Sequence, residues 1–163
     1  MGDFDRALRF TLRWEGGFVN DPDDPGGRTN KGITQAVYRD WKDDPAADVA
    51  QIADEEVAAI YRQNYWDPLC RDLGDPLALV TFDSAVNCGV RRTRGWLDKA
   101  DSGTVGTLQA AKYMLTVRQL HYETLVTARP RMAKFLRGWL NRLAALREEA
   151  GIPLAGDGKS GTL

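Results

Sequence analysis

The chain has 163 residues, 43% of them hydrophobic and 28% charged, which is enough to bury one core and too apolar for a disordered segment. Its net charge of −1 hides an asymmetry: residues 1–76 carry −7 and residues 77–163 carry +6, so a basic half faces an acidic one. No apolar run approaches the ~18 residues of a membrane-spanning helix, and Cys70, Cys88 and the single His121 are too few for a disulfide framework or an ordinary zinc site.

The opening MGDFDRALRF has acidic residues where a secretory signal has a basic and then an apolar segment, which predicts cytoplasmic synthesis without a Sec signal. Residues 4–14 predict a helix capped by Asp3, with Phe4, Leu8, Thr11 and Leu12 on one face and Gly16-Gly17 as its stop. Residues 18–33, FVNDPDDPGGRTNKGI, predict an irregular loop or short hairpin. Thr34 then caps a short helix carrying Val37, Tyr38 and Trp41, and Asp54 caps another with Val57, Ile60, Tyr61 and Tyr65 inward.

Asp75-Pro76 starts a helix over LALVTFDSAVNCG, apolar almost all round and therefore central and buried. A short helical piece over 93–100 precedes a long helix over 104–128, which Pro130 breaks. A last helix spans 131–149 and carries Phe135, Leu136, Trp139, Leu140, Leu143 and Leu146. The pattern predicts a mainly α fold with a loop or β-hairpin after the first helix. It divides into an N-terminal lobe over 1–75, a helical lobe over 76–150 and a loose tail over 151–163.

Glu15 is the residue that suggests chemistry. It is expected at the carbonyl end of the first helix, beside the Trp14 indole, and both surroundings favour a protonated carboxyl suited to a general acid. The Asp-rich loop that follows, with Asp21, Asp23 and Asp24, offers the second anionic group that a glycosidase places across the scissile bond. A surface turn capped by its own Asp side chains is the competing interpretation of that loop.

Other readings of the loop fail. An EF-hand starting at Asp21 needs a carboxylate at position 32, which is Gly32. The GGRTNKG run lacks the Gly-Lys-Ser/Thr ending of a phosphate-binding loop. Arg91, Arg92 and Arg94, with the basic residues of the last helix, form a positive surface that suits anionic wall peptides or an anionic membrane surface. No nucleic-acid motif accompanies them, so nucleic acid is not an expected partner.

The run Trp14-Glu15-Gly16-Gly17-Phe18-Val19-Asn20-Asp21-Pro22, continuing through Asp24-Pro25-Gly26-Gly27 and Thr29-Asn30-Lys31-Gly32-Ile33-Thr34, resembles the signature of glycoside hydrolase family 108. Similarity continues at Ile60-Tyr61-Arg62, Tyr65-Trp66, Phe82-Asp83, Ala85-Val86-Asn87, Gly89 and Gly138-Trp139-Leu140-Asn141-Arg142. The family comprises lysozyme-like N-acetylmuramidases of phage endolysins and secretion systems. The resemblance therefore implies a lysozyme-like fold and hydrolysis of the β-1,4 bond between N-acetylmuramic acid and N-acetylglucosamine.

It further implies Glu15 as the catalytic acid and Asp24 as the second group. The family's Thr position falls on Asn30, with Thr29 one place early, so either side chain is a candidate to hold water. Tyr65 and Trp66 are expected to line a saccharide groove, and Asn87 to meet an N-acetyl group or to cap its helix. Asp83 is expected to be structural and paired to an Arg. Residues 97–106 depart from the family's Leu-Gln pair and Asp-Gly-x-x-Gly loop. The implied enzyme needs no metal or organic cofactor, works as a monomer on peptidoglycan glycan strands, and reaches the periplasm through a holin or a dedicated secretion route. Two alternatives stay open: a lytic transglycosylase on the same fold, revealed by 1,6-anhydro products, and a non-catalytic wall-binding or secretion-helper protein, revealed by binding without cleavage.

Overall fold

The computed structural model describes residues 1–20, 27–100 and 102–153. Asp21, Asp23 and Asp24, and tail residues 154–163, lie outside the described residues. Helix α1 (Phe4–Leu12) starts where Asp3 accepts the Arg6 N–H at 2.9 Å, as its capping chemistry predicts. It ends at Leu12, two residues earlier than expected, so Glu15 sits past the helix in the turn that follows.

The chain then forms a hairpin, β1 (Thr29–Asn30) paired antiparallel with β2 (Ile33–Thr34). Lys31 and Gly32 at its tip have φ of 49° and 75°, the positive-φ pair of a type I′ turn that matches strand twist. Val19 bridges back to Thr29 through two backbone hydrogen bonds of 2.8 and 2.9 Å, which ties the segment after Glu15 to the hairpin. Thr34 caps α2 (Gln35–Lys42) as predicted. A 3₁₀ turn (Val49–Gln51) leads to α3 (Asp54–Tyr61). That helix is capped by Ala53, not Asp54: the Glu56 carboxylate reaches back to the Ala53 N–H at 3.0 Å.

Helix α3 widens into a π-turn (Arg62–Trp66) and one more α-turn, α4 (Asp67–Leu69). Helix α5 (Leu77–Cys88) is the predicted central helix, with every residue from Leu77 to Ala85 buried. It packs against α1, α6 (Val90–Ala100), α7 (Ser102–Ala128) and α8 (Ala133–Glu149). Helix α7 is interrupted at Gly106, whose φ of 77° is open to glycine and unfavourable for other residues. Among the described residues no helix is long and apolar enough to cross a membrane.

Buried side chains from Phe4 to Ile152 form one apolar cluster, so residues on both sides of position 75 share a core. Phe4, Trp66 and Phe82 meet edge-on within it, at ring centroids 5.4 to 5.8 Å apart. The start of the expected loose tail is also packed. Gly151, at φ 64°, ends α8 with Gly151 N–H to Glu148 and Ile152 N–H to Arg147, and Ile152 is buried.

Candidate active site

Glu15 is 20% exposed at its side chain, open enough to meet a substrate and closed enough to be held. Its Oε1 accepts from Arg142 Nη1 of α8 at 2.9 Å. Its Oε2 lies against the hairpin tip: a Cβ on Gly32 would stand 3.0 Å from that oxygen and 2.5 Å from the Tyr61 hydroxyl. The Tyr61 hydroxyl donates to the Lys31 carbonyl at 2.9 Å, so α3 fixes the tip that faces Glu15.

These surroundings differ from those expected. The carboxyl meets a guanidinium from the far end of the chain, while Trp14 lines a depression with Arg13, Ala145, Glu148 and Glu149. The reason is that α1 stops early, so the chain turns at Arg13 and carries Glu15 toward α8 and the hairpin.

Arg142 does not act alone. Its Nε and Nη2 edge grips Asp83 of α5, with Nη2 to Oδ1 at 2.7 Å, while its Nη1 serves Glu15. Asp83 also takes Arg118 Nη1 of α7 at 2.7 Å and the Thr11 hydroxyl of α1 at 3.0 Å. Arg118 Nε donates to the Tyr122 hydroxyl at 2.6 Å, which in turn donates to Asn87 Oδ1 at 2.6 Å.

Asp83 and Arg118 are wholly buried, and two guanidiniums balance two carboxylates along this rail. Burial alone would raise the Asp83 carboxyl, but Arg118 and Arg142 outweigh it and hold it below the usual carboxylate range. Burial likewise opposes charge on Arg142, and Asp83 first and Glu15 next keep it firmly protonated.

Of the other expected site residues, Tyr65 feels the Glu15 charge. Burial raises its phenol above the ordinary value, and the Glu15 carboxylate adds to that shift. Tyr65 packs half-buried on Tyr61, at 5.4 Å between centroids. Trp66 is core instead of groove lining: it is 4% exposed, because the π-turn rotates it inward against Phe4 and Phe82.

Asn30 is a staple of the fold, its amide donating to the Val49 carbonyl at 3.1 Å, and is buried there. Thr29 keeps to the hairpin, with its hydroxyl on the Gly27 carbonyl at 3.3 Å. Asn87 gives its carbonyl oxygen to Tyr122 at the end of the rail. The Arg pairing expected of Asp83 is present twice over.

Sequence reasoning missed Arg118 and Arg142 as part of the site, although a signal existed. Arg142 stands four residues before the buried Leu146 and Arg118 four after the buried Met114, so each puts a charge on an apolar helix face.

The family model for glycosyl hydrolase 108 matches residues 8–89, half of the chain, and includes Glu15, the hairpin and α5. The chain belongs to glycosyl hydrolase family 108. It is therefore a glycoside hydrolase of the muramidase type, and its substrate class is peptidoglycan. A solved structure titled "Structure of Brucella abortus SagA" is similar to this family-108 enzyme over 90% of this chain and 92% of that one, with a TM-score of 0.72 and 26% identity. That similarity extends across the second half of the fold, where Arg118 and Arg142 lie outside the family match. No curated protein matches the chain. The small hairpin after α1 and the central α5 make this a mainly α, lysozyme-like fold.

Proposed function

We propose that the enzyme hydrolyses the β-1,4 bond between N-acetylmuramic acid and N-acetylglucosamine, with Glu15 as proton donor. The observation that carries this reading is the placement of Glu15: a partly exposed carboxyl pinned at Oε1 by Arg142, with Oε2 at the hairpin tip. Protonated Glu15 gives its proton to the glycosidic oxygen as the C1–O bond breaks. Water adds to C1, and its proton passes to a second group. Asp24 is the proposed second group, and Thr29 of β1 is proposed to help hold the water. The proposed setting is lysis of a bacterial host as a phage endolysin that acts in the periplasm as a monomer. The substrate class supports a site of action at the cell wall.

Purified peptidoglycan digested with wild type, Glu15→Gln and Asp24→Asn, followed by mass analysis, tests the chemistry. Reducing muramic ends from the wild type are expected, with Glu15→Gln losing at least ~10³-fold and Asp24→Asn ~10²-fold or more. Anhydro ends would transfer the assignment to a transglycosylase. Reducing N-acetylglucosamine ends would move the bond, and no fragments from folded wild type would overturn the reading.

A further inference from the structure

Buried ion pairs rarely justify themselves by stability, because desolvation consumes most of the attraction and a well-packed apolar set does as well. This protein nevertheless buries Arg118 and Asp83 completely and Arg142 nearly so, in contact across α7, α5 and α8. One guanidinium also makes the key joint. Arg142 uses one edge of its guanidinium for Asp83, at 2.7 to 3.2 Å, and the remaining Nη1 for Glu15 at 2.9 Å. A guanidinium is a rigid fork, so fixing one edge fixes where the other nitrogen points.

Arg118 and Thr11 in turn fix both oxygens of Asp83. The rail has one end at the buried Tyr122 and the half-buried Asn87, and its other end at Glu15, the one of its two carboxylates that solvent reaches. On the reading that Glu15 is the proton donor, we infer that Arg142, held by Asp83 and Arg118, is a positioning residue. It occupies Oε1, so Oε2 carries the transferred proton and faces the hairpin tip.

A misplacement of about 1 Å costs about 10²-fold in rate, and the rail sets the expected size of the effect. Arg142→Lys keeps the charge but loses the fork, and Arg142→Ala loses both. With a soluble peptidoglycan tetrasaccharide as probe, kcat is expected to fall about 10-fold in Arg142→Lys and about 10²-fold in Arg142→Ala, with KM within about 3-fold. Arg118→Lys, which touches Glu15 only through Asp83 and Arg142, is expected to fall in the same direction by a smaller factor. In Arg142→Ala the limb of the kcat/KM pH profile that belongs to the acid moves up, because the positive charge beside the carboxyl is gone, and in Arg142→Lys, which keeps that charge, it moves less.

Thermal unfolding of each variant separates misfolding from misplacement. In Arg142→Ala a loss of active fraction alone leaves the pH limbs of the surviving enzyme in place, and that result overturns the proposal. So does a folded Arg142→Ala or Arg142→Lys with wild-type kcat. Failure of the functional reading looks different: Glu15→Gln then retains activity, whatever the arginine variants do.

Discussion

Gly32 carries a constraint that no side chain supplies. Its φ of 75° is left-handed, and a Cβ there would press on the Tyr61 hydroxyl at 2.5 Å and on Glu15 Oε2 at 3.0 Å. Gly32→Ala is therefore expected to destabilise the protein by about 1–2 kcal/mol from backbone strain, and to slow peptidoglycan hydrolysis at least ~10-fold because the methyl group displaces the catalytic oxygen. Urea unfolding reads the first effect and fragment release the second. Tyr61→Phe in the same background removes one of the two clashes but also the hydrogen bond to the Lys31 carbonyl, and leaves the backbone strain, so it is expected to recover little of the stability or the rate. A Gly32→Ala enzyme with wild-type rate would show that Oε2 does not work against the hairpin tip. At this scale the motif around Glu15 was legible in the sequence, because its residues are neighbours in the chain. Arg142 was not assigned to the site, because it meets Glu15 across 127 positions; its charge on an apolar helix face and its place in the family-like run over 138–142 were the signals.

Helices with strong end signals matched their sequence pattern: Asp3 and Thr34 cap α1 and α2, and the continuous apolar run of α5 is buried. Elements set by tertiary packing did not. The π-turn that turns Trp66 inward has no local signature, and Glu56 displaced Asp54 in capping α3. Glu56 also clamps α3 to α2, accepting from the Tyr38 hydroxyl at 2.8 Å and pairing with Lys42. Lys42 foremost, then the Ala53 N–H and Tyr38, lower its carboxyl from 4.5 to about 2. A carboxyl lowered in the fold stabilises above its unfolded value and loses that contribution as pH falls through the folded one. Glu56→Gln keeps an acceptor for Ala53 and loses the charge. Its Tm deficit relative to wild type is expected to be constant above about pH 5.5 and to shrink steadily between about pH 4.5 and 2. A deficit that does not change over that range would mean the clamp works through hydrogen bonding alone.

Across the whole molecule, the acidic first half and the basic second half meet inside the protein, at Glu15 and Arg142. Glu15 from the first half and Asp83, Arg118 and Arg142 from the second form one rail, buried except at Glu15 and joined to Thr11 of α1. Helices α1, α5, α7 and α8 are thus tied at the same point where the apolar cluster packs them. Asp83 is the hub, and its removal strands two guanidiniums with little water to solvate them. Asp83→Asn is expected to cost about 3–5 kcal/mol, the range for breaking a buried pair from one side, well beyond the ~1 kcal/mol of a lost neutral hydrogen bond. Because Arg118 and Arg142 outweigh burial and lower the Asp83 carboxyl in the fold, its ionic contribution is complete above the ordinary value of 3.8 and is lost as acid protonates it. The stability gap between wild type and Asp83→Asn, measured by urea unfolding from neutral pH downward, should therefore stay level to about pH 4 and close below it. A gap under ~1 kcal/mol at neutral pH would mean that packing around the hub, and not its charge, holds the four helices together.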